Sequence, residues 1–398
     1  MASKVNQRIP KGDRRAKVGV IPDDWEVKGL DELGECIIGL TYSPSNIVDY
    51  GLLVLRASNI YNGKVAYEDN VYVNCDVPQR KRVRKNDLLI CVRSGSRELI
   101  GKCALIDDRT EGMAFGAFMT IFRSSYGPFV FQQFQSHNIK KQIEEHLGAT
   151  INQITNKSLQ SFKIPFPPDE KERTIITAIL SDADMLIESL EKLIAKKRAI
   201  KQGAMQALLT GKRRLLGFSG EWQVEELGEI VEITKGQLIT ENTCIPGDIP
   251  VIAGGKTPAY YHNKPNRWGS TITVSASGAN AGFVAFYNYP IFASDCSTIE
   301  EGGKYSVKYI YYQLLLNQSK IYKIQTGGAQ PHIHPSDLYP LQIPRPEKQE
   351  QMAIADILSD MDAEIDALGL TLSKYKMIKI SMMQNLLTGK IRVYGTHN

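Results

Sequence analysis

Two long stretches of the chain space their apolar residues at alternating intervals of three and four. One stretch begins near Glu172 and the other near Glu350. This spacing predicts the heptad seam of a coiled coil, which is narrower than an ordinary amphipathic face. Each stretch lacks Pro, and a helix of roughly 40 residues is about 60 Å long. The predicted seam residues are Ile176, Ile179, Ala183, Leu186, Leu190 and Leu193 in the first helix, and Ile354, Leu358, Met361, Ile365, Leu368, Leu372 and Tyr375 in the second.

The two helices are copies of one sequence. Residues 172–212 match residues 350–390 without a gap, and about 19 of 41 positions are identical. Both copies end in Leu-Leu-Thr-Gly-Lys, where Gly211 and Gly389 suit the left-handed residue that follows many helices. Each copy is acidic in its first half and basic in its second half. Antiparallel packing therefore brings opposite charges together, and we predict an antiparallel pair.

Before each helix, apolar and polar residues form short runs, which predict strands. A Trp opens each block, in DDWEVKGLDELGE at 23–35 and GEWQVEELGE at 220–229, and FKIPFPPDEKE or LQIPRPEKQE closes it. Within the blocks, NDLLICVRSGSRELIGKCALI parallels GSTITVSASGANAGFVAFY as a strand, a Ser-Gly turn and a second strand. GATINQITNKSL at 148–159 similarly matches GGAQPHIHPSDL at 327–338. One helix is predicted ahead of each exit, around 129–147 and 307–324.

These patterns predict an α+β protein with a pseudo-twofold internal repeat, in which two globular domains of mixed strands and helices are joined by two long antiparallel coiled-coil helices. The predicted bounds are 1–168 and 217–346 for the globular domains, 169–216 for the first helix, and 347–398 for the second helix and tail. The domains share a frame but differ in their loops, as related binding modules with different targets do. Two copies that had merely diverged would look the same.

Composition excludes several classes of protein. The chain of 398 residues is 42% apolar and 23% charged, which is ordinary for a globular protein. No run approaches the roughly 18 apolar residues of a membrane span, and the basic N-terminus lacks an apolar signal region. The six cysteines show no paired spacing, and His332 and His334 could hold a metal but favour a turn. We expect a cytoplasmic protein that contacts no membrane and binds no metal.

The motifs VGVIPDDWEV at 18–27, the two Trp-led blocks, the IPFPPDEKER and ILSDAD junction and the LLTGK endings occur in one order, and most of them occur twice. This set resembles the specificity subunit of type I restriction–modification enzymes, over about residues 17–393. The resemblance implies two target recognition domains, each of which recognises one half of a split, asymmetric DNA site. It also implies that the helices set the gap between the halves and dock two methylation subunits, which restriction subunits can join.

The resemblance further implies a chain without a catalytic centre or cofactor. S-adenosylmethionine is then expected in the partner methylation subunits, which modify adenine N6 on flipped bases. The residues agree, since there is no Gly-rich methyltransferase loop, and LLTGKR ends a helix where a phosphate-binding loop would begin one. Two alternatives stay open: a coiled-coil scaffold of a methyltransferase complex without sequence preference, and a stand-alone methyltransferase or nuclease. PDDWEVK at 22–28 suggests the latter, but its carboxylates are too close in sequence to come from separate strands.

Side chains that suit double-stranded DNA lie in predicted loops of both domains. Arg recognises guanine and Asn or Gln recognises adenine, whereas Ser, Thr, Tyr and Lys suit phosphates. The net charge of +5 permits such binding without requiring it. In the first domain the candidates are Arg56, Ser58, Asn59, Tyr61, Asn62, Lys64, Arg93, Ser94, Ser96 and Arg97. In the second domain they are Lys256, Thr257, Tyr260, Tyr261, Asn263, Lys264, Arg267, Ser275, Ser277, Asn280, Gln330 and His332.

Overall fold

The computed structural model describes residues 11–147, 152–328 and 330–393. The chain forms two compact units, one of Met1–Ser189 with Leu372–Asn398 and one of Leu190–Thr371. Each unit contains a globular domain, about half of the long helix that follows it, and about half of the other long helix. Residues 148–151 and 329 of the two matching loop segments lie outside the described residues.

The first globular domain is built from short strands and helices, and a long helix follows it. The strands are β1 (Asp13–Ala16), β2 (Gly19–Pro22), β3 (Glu26–Gly29), β4 (Glu35–Ile38), β5 (Ile47–Val48), β6 (Leu52–Leu55), β7 (Ile60–Tyr61), β8 (Lys64–Val65), β9 (Tyr72–Val73), β10 (Leu88–Cys91), β11 (Cys103–Leu105), β12 (Ala114–Phe115), β13 (Met119–Arg123) and β14 (Lys163–Phe166). The helices are α1 (Leu30–Leu33), α2 (Gly127–Phe134), α3 (His137–His146), α4 (Asn156–Gln160) and the long α5 (Glu170–Leu208).

The second globular domain uses a smaller set of elements before the second long helix. Its strands are β15 (Gln223–Glu226), β16 (Thr234–Lys235), β17 (Pro246–Ile252), β18 (Tyr260–His262), β19 (Thr271–Ser275), β20 (Val284–Tyr287), β21 (Phe292–Ala293), β22 (Cys296–Glu300) and β23 (Gln342–Arg345). Its helices are α6 (Leu227–Ile230), α7 (Val307–Leu316), α8 (Gln318–Lys323) and α9 (Pro335–Leu338), and the long helix is α10 (Lys348–Leu386).

The central sheets of the two globular domains have the same strand order. An antiparallel sheet runs β11-β10-β13-β4 in the first domain and β20-β19-β22-β16 in the second. A parallel pair follows in both, β12 with β6 and β21 with β17. The Trp-led entry pairs with the Pro-containing exit, as β3 with β14 and β15 with β23. This strand-for-strand match confirms the internal repeat and both Ser-Gly turns, which join β10 to β11 and β19 to β20.

The helical segment ahead of each exit differs from the prediction, because it is a pair of helices rather than one. In the first domain the break falls between α2 and α3, where the Ser136 hydroxyl accepts a hydrogen bond from the Ile139 amide and starts a new helix. In the second domain Asn317 separates α7 from α8. The break turns each pair around the core, where Phe129 and Phe134 pack in the first domain and Tyr309 and Leu314 in the second.

Both long helices have 39 residues and pack antiparallel within each unit. In the first unit Asp184 in the first half of α5 forms an ion pair with Lys379 in the second half of α10. In the second unit the pairing is reversed, as Lys201 of α5 meets Asp362 of α10 and Lys197 lies 2.6 Å from Glu364. The acidic half of each helix thus meets the basic half of the other, as the charge pattern predicted. Within the described ranges, no helix is long and apolar enough to cross a membrane.

The seam of α5 keeps the predicted Ile176, which is fully buried, but is displaced by one residue at alternate positions. Leu186 and Leu193, predicted to be in the seam, are each more than a third exposed, whereas Leu180 and Ile194 are buried. In α10 the predicted positions from Ile354 to Leu372 face inward, but Tyr375 is also more than a third exposed. Lys379 takes the next buried position. The predictions for Leu186, Leu193 and Tyr375 are therefore corrected.

Candidate nucleic-acid interface

The first candidate loop, residues 56–64, is fixed from within by Asn59. Its carboxamide accepts a hydrogen bond from the Arg56 amide at 3.0 Å and donates to the carbonyls of Ala66 and Asp69, both at 3.1 Å. Asn59 is fully buried. This burial corrects the prediction that Asn59 contacts DNA, because its polar atoms already hold the loop. Lys64, at the far end of the loop, forms an ion pair with Glu188 of α5.

The second candidate loop, residues 93–97, lies beside residues that the sequence analysis missed. The Ser94 amide donates to the Asn152 carbonyl at 3.2 Å, and Arg93 forms a β-bridge with Gln153. The Arg93 guanidinium lies 5.1 Å from the centre of the exposed Phe118 ring. Asn and Gln are the types that recognise adenine. In the second domain, the segment that matches residues 148–159 contains the candidates Gln330 and His332. The same reasoning applied to the first domain would have identified Asn152 and Gln153 from the sequence.

In the second domain the structure brings three candidate segments together. Ser277 forms a β-bridge with His332, and the Gly278 amide donates to the Pro331 carbonyl at 3.0 Å. The Lys256 ammonium lies 5.5 Å from the centre of the Phe283 ring, which directly follows the 275–282 turn. The bridge between Ser277 and His332 corresponds to the one between Arg93 and Gln153. Both domains therefore present one composite surface at the same place in the repeat.

Most of the candidate side chains face solvent. The exposed ones are Ser58, Tyr61, Asn62, Lys64, Arg93, Ser96, Arg97, Lys256, Thr257, Tyr261, Asn263, Lys264 and Gln330. The half-buried ones are Arg56, Ser94, Tyr260, Ser277, Asn280 and His332. Arg56 is held by Asp69 at 2.9 Å, and Ser277 donates to the Asp295 carboxylate. Exposure makes the first group available to a ligand, whereas the paired members of the second group position their loops.

Two further candidates serve the interior of the second domain. The Arg267 guanidinium donates to the hydroxyls of Thr298 and Thr234 and lies 3.2 Å from the Glu300 carboxylate. Ser275 is buried in β19. These positions correct the predicted DNA contacts of Arg267 and Ser275. Tyr260 donates its hydroxyl to the Ile239 carbonyl, and partial burial raises the pKa of this phenol.

A Trp–Glu–Arg cluster joins the entry of each domain to the ends of the long helices. In the first unit the Glu172 carboxylate accepts from the Trp25 indole at 3.2 Å and from Arg392 at 2.7 and 3.0 Å. In the second unit Glu350 accepts from Trp222 at 3.0 Å and from Arg214 at 2.7 and 2.8 Å. The cluster explains why the Trp-led entries and the LLTGK endings occur together in the sequence. Both motifs are evident in the sequence, but the contact between them is seen only in the structure.

The glycines of the LLTGK endings make these clusters possible. Gly211 and Gly389 have φ values of +71° and +73°, in the left-handed region that was predicted for them. A Cβ on Gly389 would lie 2.5 Å from carbons of Pro22, and one on Gly211 would lie 3.2 Å from the Trp222 ring. Each glycine therefore lets the helix end approach the Trp, and Arg392 or Arg214 then reaches the glutamate.

Two of the buried thiols are poorly suited to nucleophilic chemistry. Burial raises the pKa of both Cys103 and Cys296 to about 12, which keeps these thiols protonated and poorly nucleophilic. In the part of the chain that the structure describes, no three His, Cys, Asp or Glu side chains are grouped to hold a metal ion. His332 instead belongs to the composite surface of the second domain.

Comparison with known proteins accounts for this repeated arrangement. Residues 22–197 and 219–372 match the family model described as the type I restriction modification DNA specificity domain. The chain belongs to this family. As a family member with two copies of the domain, it is a DNA sequence-recognition subunit of a type I restriction–modification system.

Relatives cover nearly the whole chain or about half of it. The MjaX specificity subunit of Methanocaldococcus jannaschii is 28% identical over 96% of both chains. The EcoKI specificity subunit of Escherichia coli K12 is 28% identical over 49% of this chain and 46% of its own. The solved S subunit of M. genitalium shares the fold with a TM-score of 0.67 and 19% identity, over 91% of this chain and 96% of that one. A solved chain from a type I restriction–modification system gives a TM-score of 0.55 at 19% identity, over 93% and 99% of the two chains.

Proposed function

We propose that each globular domain recognises one half of a split, asymmetric DNA site and that the two long helices set the gap between the halves. The observation that carries this proposal is the pair of composite surfaces. They occupy the same place in two domains whose central sheets have the same strand order, yet one presents Arg93, Arg97 and Gln153 and the other presents Lys256, Gln330 and His332. A shared frame with different side chains suits two different half-sites.

The same proposal assigns the chemistry to partners of this chain. Two methylation subunits that hold S-adenosylmethionine dock on the long helices, and restriction subunits can join the complex. Exposed apolar side chains support docking there, since Met185, Ile200, Leu370 and Met377 are each about half exposed or more. Leu370→Asp and Met377→Asp are expected to weaken binding of a methylation subunit, measured by titration calorimetry, and to leave duplex DNA binding intact.

The proposal is tested by a genome-wide map of N6-methyladenine in the native host, with and without this gene. We expect a split motif with a fixed gap to lose its methylation when the gene is deleted, and the map then gives both half-sites directly. Methylation that does not depend on the gene contradicts the proposal. Tight binding of methylation subunits without any DNA sequence preference favours the scaffold alternative. Binding of S-adenosylmethionine by the purified chain alone contradicts the assignment of chemistry to its partners.

A further inference from the structure

A basic groove lies in the first unit, and its lining includes none of the residues of the composite surface formed by loop 93–97 and residues 152–153. It is a concavity of about 1020 Å³ between the β1–β2 turn, α3, the start of β14 and the last turns of α10. Its basic side chains are Arg15, Lys17, Lys140, Lys141, Lys163 and Lys390, and its acidic side chain is Glu145.

The charge of the groove is concentrated and largely uncompensated. Six basic side chains against one carboxylate give an excess equal to the formal net charge of +5 of the whole chain. Glu145 lies 3.8 Å from Lys141, one turn away on the same helix. Among the described residues, the other five basic side chains have no carboxylate partner. Repulsion between these cations is relieved when an anionic group enters the groove.

The rest of the lining indicates which kind of anion fits. Val18, Val20, Ile380 and Met383 add an apolar wall, and Ile380 is 57% exposed. No Phe, Tyr or Trp lines the groove among the described residues, so it lacks the stacking platforms on which single-stranded nucleic acid is bound. A DNA backbone presents phosphates and sugars to such a surface, and these would use the basic side chains but leave the apolar wall without an apolar partner. A peptide segment with carboxylates on one face and apolar side chains on the other matches both walls.

Internal hydrogen bonds form the groove in advance. The Gln142 carboxamide bonds both the amide and the carbonyl of Lys163 at 2.8 Å, which fixes α3 against β14. The Gln133 carboxamide donates to the carbonyls of Pro165 and Leu387, at 3.1 and 3.3 Å, which ties α2 to the end of α10. A preformed groove costs a ligand little reorganisation on binding.

The groove belongs to one repeat only. The β1–β2 hairpin forms one of its walls, and residues 209–221, which are described throughout and precede the Trp-led entry of the second domain, contain no strands. We propose that the basic groove binds an acidic, amphipathic segment of a protein partner, at one segment per chain. This binding is separate from the recognition of DNA by the composite surfaces, and it holds whether or not that recognition is found.

The test uses the full-length chain and a fluorescein-labelled synthetic peptide of Glu and Leu arranged as an amphipathic helix, with binding followed by fluorescence anisotropy. We expect saturable binding of one peptide per chain. Lys140→Glu with Lys390→Glu should weaken it by at least about tenfold, because two attractions become repulsions. Ile380→Ser should weaken it several-fold without changing any charge. The matched control is Lys320→Glu with Lys323→Glu on α8, the counterpart of α3, and it should bind as the unchanged chain does.

Absence of saturable binding overturns the proposal, as does equal binding of a Lys and Leu peptide of the same length. A labelled duplex of random sequence separates the other class of partner. If the Lys140 and Lys390 changes weaken duplex binding but leave the peptide affinity unchanged, the groove is a DNA backbone surface and the proposal is wrong. The five substituted side chains are exposed, so each variant is expected to keep the thermal midpoint of the unchanged chain.

Discussion

Glu172 and Glu350 carry carboxylates in the interior of the two units, where each side chain is 1% exposed. A buried charge is tolerated only when it is paired and hydrogen-bonded, and Arg392 and Arg214 each supply two hydrogen bonds. Arg392 also binds Asp24, and its hydrogen bonds to Glu172 and Asp24 raise the pKa of its guanidinium. Each cluster thereby fixes a helix start, a domain entry and a helix end to one another.

Removal of the Arg392 side chain should therefore destabilise the first unit. Arg392→Ala leaves Glu172 buried with only the Trp25 indole, so we expect a loss of about 2 kcal/mol or more, below the ~3–5 kcal/mol typical of a fully buried pair. Urea unfolding followed by circular dichroism measures the loss. Arg213→Ala, at an exposed arginine beside the equivalent Arg214, is the control and should be close to neutral. Equal stability of the two variants would show that the cluster does not hold the unit together.

Exposed arginines of the first composite surface should affect one half-site only. Arg93→Ala with Arg97→Ala removes two side chains suited to guanine or phosphate, so we expect weaker binding of the first half-site by about 1–3 kcal/mol per lost base contact. Lys256→Ala with Asn263→Ala is the matched pair in the second domain. Electrophoretic mobility shifts with duplexes altered in either half-site measure both effects. Equal loss across both half-sites would indicate contacts to phosphates alone.

Residue type predicted which loops face solvent. It did not predict which side chains of those loops point into solvent and which turn inward. Arg93, Arg97 and Lys256 are exposed, as their polarity suggests, whereas Asn59 and Arg267 turn inward to hold the loops. Asn and Arg each carry several hydrogen-bonding atoms, and these serve a buried turn as well as they serve a base edge. The sequence has no signal that separates the two uses, since both place a polar residue in a loop.

The seam shows a similar limit at the scale of the helix. Adjacent apolar pairs recur in α5, at 179–180, 186–187 and 193–194, so the heptad pattern fits two phases that differ by one residue. The prediction took the first member of each pair, whereas Leu180 and Ile194 are the buried ones. Helix length, capping glycines and antiparallel direction were predictable, because the repeat fixes them independently of phase. The short edge strands and the break before Ser136 carry too few residues to show a period.

A lysine lies in the seam at the same place in each unit, Lys379 opposite Asp184 and Lys201 opposite Asp362. Lys379→Met alone should destabilise the first unit by about 1–3 kcal/mol, because Asp184 loses its ion pair in a partly buried site and keeps only the Gln132 carboxamide, at 3.4 Å. Adding Asp184→Leu should restore most of that loss, since an apolar pair fits a helix seam. Urea unfolding of both single variants and the double variant measures the coupling. Additive losses would show that the ion pair does not act as a unit.

At the scale of the whole molecule, the sequence repeat and the structural unit do not coincide. The repeat joins a globular domain to the helix that follows it, whereas each compact unit takes one half of α5 and one half of α10. The units divide the chain near residue 190 in α5 and near residue 371 in α10. These positions are equivalent within a few residues, because the helices match at an offset of 178. Each ion pair described between α5 and α10 therefore joins two residues of the same unit.

This division allows the gap to be changed without disturbing either unit. Four residues are inserted after Lys192 in α5 and four after Leu370 in α10. Both insertions fall between the two ion pairs, so Asp184 still meets Lys379 and Lys201 still meets Asp362. Each insertion lengthens its helix by about 6 Å, and a base pair rises about 3.4 Å. We expect the methylated motif to keep both half-sites while its gap grows by one or two base pairs, measured by mapping N6-methyladenine. An unchanged gap with full methylation would show that something other than the helices sets the spacing.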